Sequence, residues 1–295
     1  MKYTFKSFRD DFPNDAACLA RIMELRYGNE PICDKCGKPT HFHPITGRRA
    51  FACQWCGHHV YPCVGTVFEK SSTPLTLWFH AMYLMTSTRN GVSAKELERQ
   101  LGVTYKTAWR MGHEIRKLMA ERNKLHGPLS GHVEIDETYI GGKATGKGRH
   151  GALSGDNKTI VLGMLQRDEY VRGQIVPNVQ RQTLRPIIRE NVKAGSTIST
   201  DELCSYGVLP AFGYEHGKVN HKQKQYVNGR FHVNGMENFW KHLKGGIRST
   251  HMHVSRKYLQ NYVEEFGFRY NNRKEPGTMF YRMLSHLSQR PKEAG

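Results

Sequence analysis

No apolar run in this 295-residue sequence approaches the roughly 18 residues needed to cross a bilayer. A helical membrane protein is therefore not expected. Residues Met1 to Asp11 lack the uninterrupted apolar core and small-residue cleavage site of a secretory signal, so the expected compartment is the cytoplasm. Acid is scarce as well. Against 44 Lys and Arg stand 26 Asp and Glu, a net charge of +18 with a pI near 9.7. Such an imbalance asks for an anionic partner, either nucleic acid or an acidic membrane surface. A membrane-surface protein would want a basic amphipathic helix or a lipidation motif. Neither is present, which leaves nucleic acid, on the nucleoid. The length allows two or three domains with at least one sizeable core.

Cysteine is arranged rather than scattered. Cys33-Asp-Lys-Cys36 and Cys53-Gln-Trp-Cys56 are separated by 16 residues, the spacing of a zinc ribbon holding one structural Zn²⁺. Gly37 and Gly57 follow the pairs and permit the tight turn that aims backbone amides at the sulfurs. A disulfide framework is the rival reading, but cytosolic cysteines at this spacing favour metal. His58 and His59 beside the second pair are less favoured alternative ligands. Cys18, Cys63 and Cys204 are then expected as small core residues.

Residues 13 to 27 read as a helix that Asp15 could cap. Leu75 to Thr88 reads as a buried helix capped by Thr73, with Pro74 at its first position. Ser93-Ala-Lys-Glu96 is a capping box opening a short helix through Leu101. Gly102-Val103 turns the chain, and Thr104 opens a further helix to about Ala120. Helix, glycine-containing turn, helix is the pattern of a helix-turn-helix, with Tyr105, Lys106 and Arg110 as candidate DNA contacts.

Gly127-Pro128 marks the next boundary. Strands are expected at 132–140, 159–166, 170–177 and 196–200, with a helix at 182–193. The stretch Gly141 to Lys158 carries six glycines and reads as a mobile loop. A helix is expected over 202–211. From Tyr214 to Arg273 there are 11 Lys or Arg against four Glu, with aromatics interleaved. That composition suits a nucleic-acid channel, and Lys241 and Arg248 are candidate DNA contacts there. Met236, Phe239, Trp240 and Leu243 form an apolar stripe at helical spacing. Glu237 and Lys244, two turns apart, share one side of that helix. A long helix from Arg256 to about Asn271, with Val263, Phe266 and Tyr270 as core residues, and a last helix over 278–288 complete the chain.

Ile135-Asp136-Glu137, Ser199-Thr200-Asp201, and Asn234-Gly-Met-Glu237-Asn-Phe-Trp240 followed by Lys244 resemble the catalytic signatures of the zinc-ribbon DDE transposases of bacterial insertion sequences. These form the ISXO2-like group, related to the Merlin elements. The resemblance spans roughly residues 15 to 285. It implies an α/β catalytic core of ribonuclease H-like fold, a mixed five-stranded sheet with flanking helices, preceded by a zinc ribbon and a helix-turn-helix. The expected domains are a helical leader over 1–27, the ribbon over 28–70, the helix-turn-helix over 71–126 and the catalytic domain over 127–290.

The resemblance implies that Asp136, Asp201 and Glu237 hold two Mg²⁺, with Mn²⁺ as an alternative, and that Lys244 holds a phosphate beside them. Some relatives carry Asn at the third position, so Asn234 and Asn238 stand as alternative donors. Alternation along the strand points Glu137 to the face opposite Asp136. Hard cations about 3.5–4 Å apart suit strand cleavage, one activating the attacking oxygen and the other stabilising the leaving oxygen. The function implied is that of a transposase. It binds the terminal inverted repeats of its element, cuts, and joins the ends to target DNA as a homodimer or larger assembly. The alternatives are a metal-dependent nuclease or resolvase of the same fold, and a non-enzymatic DNA-binding regulator.

Overall fold

The computed structural model describes residues 3–141 and 158–288. The glycine-rich stretch expected as a mobile loop therefore lies, from 142 to 157, outside the described residues. The chain divides into two units, one running to Leu118 and resuming at Glu275, the other spanning Met119–Lys274.

In the first unit, helices α1 (Phe5–Asp11) and α2 (Asp15–Tyr27) precede a three-stranded antiparallel sheet of β1 (Phe42–Pro44), β2 (Phe51–Cys53) and β3 (His59–Val60). Helices α3 (Leu75–Ser87), α4 (Ala94–Leu101) and α5 (Tyr105–Lys124) follow, the residues of α5 from Met119 onward belonging to the second unit. Ser93 caps α4 by accepting from the Glu96 N–H at 3.1 Å. Gly102 ends it in the left-handed conformation, φ 64°, which glycine adopts without strain. The helix–turn–helix read from the sequence is thus formed by α4 and α5.

Two capping expectations are corrected. Asn14, not Asp15, caps α2, accepting from the Ala17 N–H at 2.9 Å. Pro74 sits at the N-cap of α3 with no side-chain cap from its own segment. Asp15 reaches across instead, accepting from the N–H groups of Leu75 and Thr76 and from the Thr76 hydroxyl, each at 2.9 Å. Burial opposes the charge on Asp15, but these three donors and nearby Arg49 hold its carboxyl below the usual range. A carboxylate from another helix serves as well as a local one, because the first-turn amides need an acceptor from any source. Asp15→Ala is expected to destabilise the first unit by about 1–2 kcal/mol, read as a fall in melting temperature, with Asp15→Asn less affected.

The C-terminal helix α9 (Met279–Leu284) belongs to this unit. The Phe280 ring packs on Phe8, Phe12 and Phe79 at 5.7–6.2 Å. Packing therefore divides the chain after Lys274, whereas the sequence extended the catalytic domain to 290.

The second unit is built on a five-stranded sheet of β4 (His132–Ile140), β5 (Thr159–Gln166), β6 (Val171–Val176), β7 (Thr197–Thr200) and β8 (Glu215–Lys218). Its spatial order is β6-β5-β4-β7-β8, with β4, β5 and β6 antiparallel and β7 and β8 parallel to β4. This is the mixed sheet of a ribonuclease H-like core. Strand alternation splits the interior in two. Val133, Ile135, Leu162 and Met164 face α6 (Arg181–Asn191), Tyr206 and Leu209. Val161 and Leu165 face α7 (Asn234–Gly246) and α8 (Leu259–Asn271) through Met236, Phe239, Trp240, Leu243, Val263 and Phe266.

Three local differences have physical causes. The helix expected over 202–211 is a 3-10 segment, Cys204–Phe212, interrupted by Pro210, which has no amide hydrogen to donate. Cys204, expected in the core, is exposed at its start, because Tyr206 and Leu209 fill the apolar side. The long helix begins with a 3-10 turn, Arg256–Tyr258, before α8.

Candidate metal centres

The ribbon sulfurs converge. Cys33, Cys36, Cys53 and Cys56 each offer a sulfur within 4.8 Å of the others. The Cys33–Cys56 and Cys36–Cys53 separations are 3.7 and 3.9 Å. Four thiolates about 2.3 Å from a tetrahedral zinc stand roughly 3.8 Å apart, so the set fits the ion. Gly37 and Gly57, both at φ 68°, close the knuckles by donating to the Cys33 and Cys53 carbonyls at 2.8 and 2.9 Å. Burial works against ionising Cys53, yet the Thr40 hydroxyl at 3.2 Å and the N–H groups of Cys56 and Trp55 bring its thiol down to about 6. A ready thiolate is what metal binding needs.

The second centre lies where β7 ends, at Thr200, beside the middle of the longer parallel strand β4. Asp136, Glu137 and Asp201 each offer an oxygen within 4.8 Å of the others. Asp136 is on the α7 face, where its Oδ2 accepts from the Trp240 indole N–H at 2.9 Å. Glu137 does lie on the opposite face, as alternation requires, and accepts from the Tyr206 hydroxyl at 2.9 Å. Its carboxylate nonetheless reaches the same cluster, beside the end of β7, a membership that alternation alone missed. Asp201 caps its own turn, accepting from the Leu203 N–H at 3.0 Å.

Burial, then the charge of Asp201, pushes Asp136 up to about 7, against the Trp240 bond. Burial and Asp201 likewise push Glu137 up to about 7. Asp201 is raised chiefly by burial. Three crowded carboxylates that resist ionising together are the donor set a hard divalent cation relieves.

Glu237 occupies the first turn of α7 and stands outside the 4.8 Å group. Its charge is felt at Asp136, and its Oε1 is 3.8 Å from His221 Nε2. Asn234, the alternative donor, is the first residue of the same helix. Lys244 lies two turns along from Glu237, half-buried. Burial and the Arg248 charge lower its pKa while Asp136 draws it upward. Lys241 and Arg248 are exposed on and just beyond α7. In the first unit Tyr105 and Lys106 are exposed at the start of α5, with Lys95 over the Tyr105 ring. Arg110 is exposed too but already engages the Ser71 hydroxyl at 3.1 Å and the Trp78 ring.

Gly163 also escaped the sequence reading. Gly163 of β5 pairs with Asp136, and a Cβ there would run into Met236 and Trp240. Its bare backbone lets the Trp240 indole reach the aspartate. A glycine inside an otherwise apolar strand was the available signal.

The metal-free site has a pH signature. Between the ordinary 3.8 and about 7, the folded chain holds a proton on Asp136 that the unfolded chain has lost. Stability therefore falls as pH rises through that window. Divalent metal takes the proton's place, so Mg²⁺ or Mn²⁺ is expected to raise the melting temperature more at about pH 8 than at about pH 5.5. Equal shifts at both would contradict this.

Residues 128–271 match the model of the ISXO2-like transposase domain, and residues 13–59 match the transposase zinc-ribbon domain. Among known proteins, the chain is 29% identical over 287 residues to an uncharacterized protein in transposable element ISH50 of Halobacterium salinarum, covering 90% of this chain and 94% of the relative. It is 37% identical over 98 residues to an uncharacterized transposase-like protein of Haemophilus influenzae, covering 33% of this chain and 78% of the relative. A crystal structure of a pre-cleavage Mos1 transpososome overlays on 72% of this chain and 79% of that one. Its TM-score is 0.29 at 12% identity, too loose to carry an argument.

Proposed function

The chain belongs to the ISXO2-like transposase family, and we propose that it binds the terminal inverted repeats of its element, cleaves the DNA strands there and transfers the ends into target DNA. The observation that carries this is the convergence of Asp136 and Asp201, from two parallel strands, beside the helix that brings Glu237 and Lys244. Asp136, Asp201 and Glu237 would hold two Mg²⁺. These would activate the attacking oxygen and neutralise charge on the phosphoryl group undergoing displacement. Trp240 holds one oxygen of Asp136 and so directs the other away from the helix. Lys244, two turns along α7 from Glu237, binds the phosphate flanking the scissile bond, and exposed Lys241 and Arg248 track the backbone. Tyr105, Lys106 and Arg110 on the helix-turn-helix, with the zinc ribbon, read the ends. Two ends must be brought together, so the working form is a homodimer or larger, in the cytoplasm on the nucleoid.

The test is a cleavage assay on DNA carrying the element's own ends, with Mg²⁺ or with chelator. Cuts at the repeat boundary followed by joined products are the expected result. Cuts without joining or end preference would indicate a general nuclease. End binding with no metal-dependent cutting would leave a DNA-binding regulator.

A further inference from the structure

Two residues before Asp136, Glu134 is 1% exposed on the same face of β4, yet it takes no part in the carboxylate cluster. Both of its oxygens are engaged. Oε1 accepts from Arg167 Nε at 2.9 Å and lies 3.3 Å from His232 Nδ1. Oε2 accepts from the backbone N–H of Met236 at 3.0 Å, in the first turn of α7. Arg167 extends the clamp by donating to the carbonyls of Arg230 and His232 at 2.9 and 3.1 Å, and it lies 3.1 Å from His132 Nδ1. The approach is close, because a Cβ on Gly235 would stand 2.9 Å from Glu134 Oε2.

Helix α7 is thereby fastened to β4 twice. Glu134 holds Met236, and one turn later Trp240 holds Asp136. Glu237 sits between the two fastenings. Each residue of an α-helix turns by about 100°, so a small slip in the phase of α7 would swing the Glu237 carboxylate away from Asp136. A buried ion pair contributes little net stability against an apolar substitute, but its fixed geometry can dictate register.

We propose that Glu134, locked by Arg167, is a positioning residue that sets the axial position and rotation of α7 and so brings Glu237 to the metal centre. The inference rests on the reading of Asp136, Asp201 and Glu237 as metal ligands. Glu134 is not itself a metal ligand in this reading, because its two oxygens are committed to Arg167 and to the helix.

The test compares wild-type full-length protein with Glu134→Gln and Gly235→Ala. The second variant deletes no charge and pushes the first turn of α7 off Glu134, so it carries the test if the first fails to fold. Mn²⁺ binding is measured by electron paramagnetic resonance, with far-UV circular dichroism and melting temperature in parallel. Cleavage is then followed as a function of Mn²⁺ concentration. Both variants are expected to keep the wild-type spectrum and to bind Mn²⁺ about 10–100-fold more weakly. Cleavage is expected to recover at high Mn²⁺, a change in metal requirement rather than in maximal rate. Variants with lowered melting temperature but wild-type Mn²⁺ affinity would overturn the proposal and leave Glu134 a merely structural residue. Wild-type protein that binds no Mn²⁺ would overturn the metal reading itself, and the proposal with it.

Discussion

Asp136→Asn is expected to abolish metal-dependent DNA cleavage while making the metal-free protein more stable at pH 8. The two effects share one cause. In the absence of metal this carboxyl is pushed up to about 7, first by burial and then by Asp201, so at pH 8 the fold carries a charge it would shed if it could. A neutral amide of the same shape removes that penalty. The gain is on the order of a few kcal/mol at pH 8 and vanishes toward pH 4, where the carboxyl is protonated in the folded chain. Cleavage would lose one of the carboxylates that would hold the metal and is expected to fall by about a thousandfold or more. Asp201→Asn is expected to behave in the same direction. Calorimetry and a cleavage assay on the same preparations check both halves. A variant less stable than wild type at pH 8, or one still cutting in Mg²⁺, would contradict the assignment.

Cys33→Ser, or treatment with a strong chelator, is expected to unfold the ribbon and remove end-specific DNA binding. The β1–β3 sheet has only three, three and two residues per strand, far too little apolar area to fold unaided. Structural zinc in such units supplies about 10–16 kcal/mol of apparent folding free energy. The loss should remain with the ribbon. The five-stranded sheet has its own two-sided core, so in Cys33→Ser, with no chelator present, the metal-dependent stability shift of the carboxylate centre should survive. Zinc content by mass spectrometry under native conditions, paired with DNA-end binding, measures this. An apo-protein that keeps end binding would show that the ribbon does not read the ends.

The parts of the molecule that were legible in the sequence are those written in short range. The four ribbon cysteines announce themselves by spacing. Asp136 sits inside one β-like run and Asp201 ends another, and the two runs pair in parallel, while the stripe from Met236 to Leu243 marks the face that α7 buries. What escaped depends on a partner distant in sequence. Asp15 looks like a local cap and serves a helix 60 residues away. Glu134 is one residue of an expected strand in the sequence, and only the structure shows Arg167 and α7 enclosing it. The short edge strand β8, Glu-His-Gly-Lys, has no apolar alternation, because one of its faces is held by Phe231 packing over Gly217. Glu137 shows the limit of alternation: where the neighbouring strand β7 stops, a long side chain on one face of β4 still reaches the group formed by Asp136 and Asp201.

The most direct test of the carboxylate centre is anomalous diffraction from crystals of the full chain soaked in Mn²⁺. The expected result is two peaks about 3.5–4 Å apart, with Asp136 between them and Asp201 and Glu237 each completing one site. A single peak held by Asp136, Glu137 and Asp201 with Glu237 unliganded would contradict the two-metal assignment, and no peak at these residues would contradict the metal centre altogether.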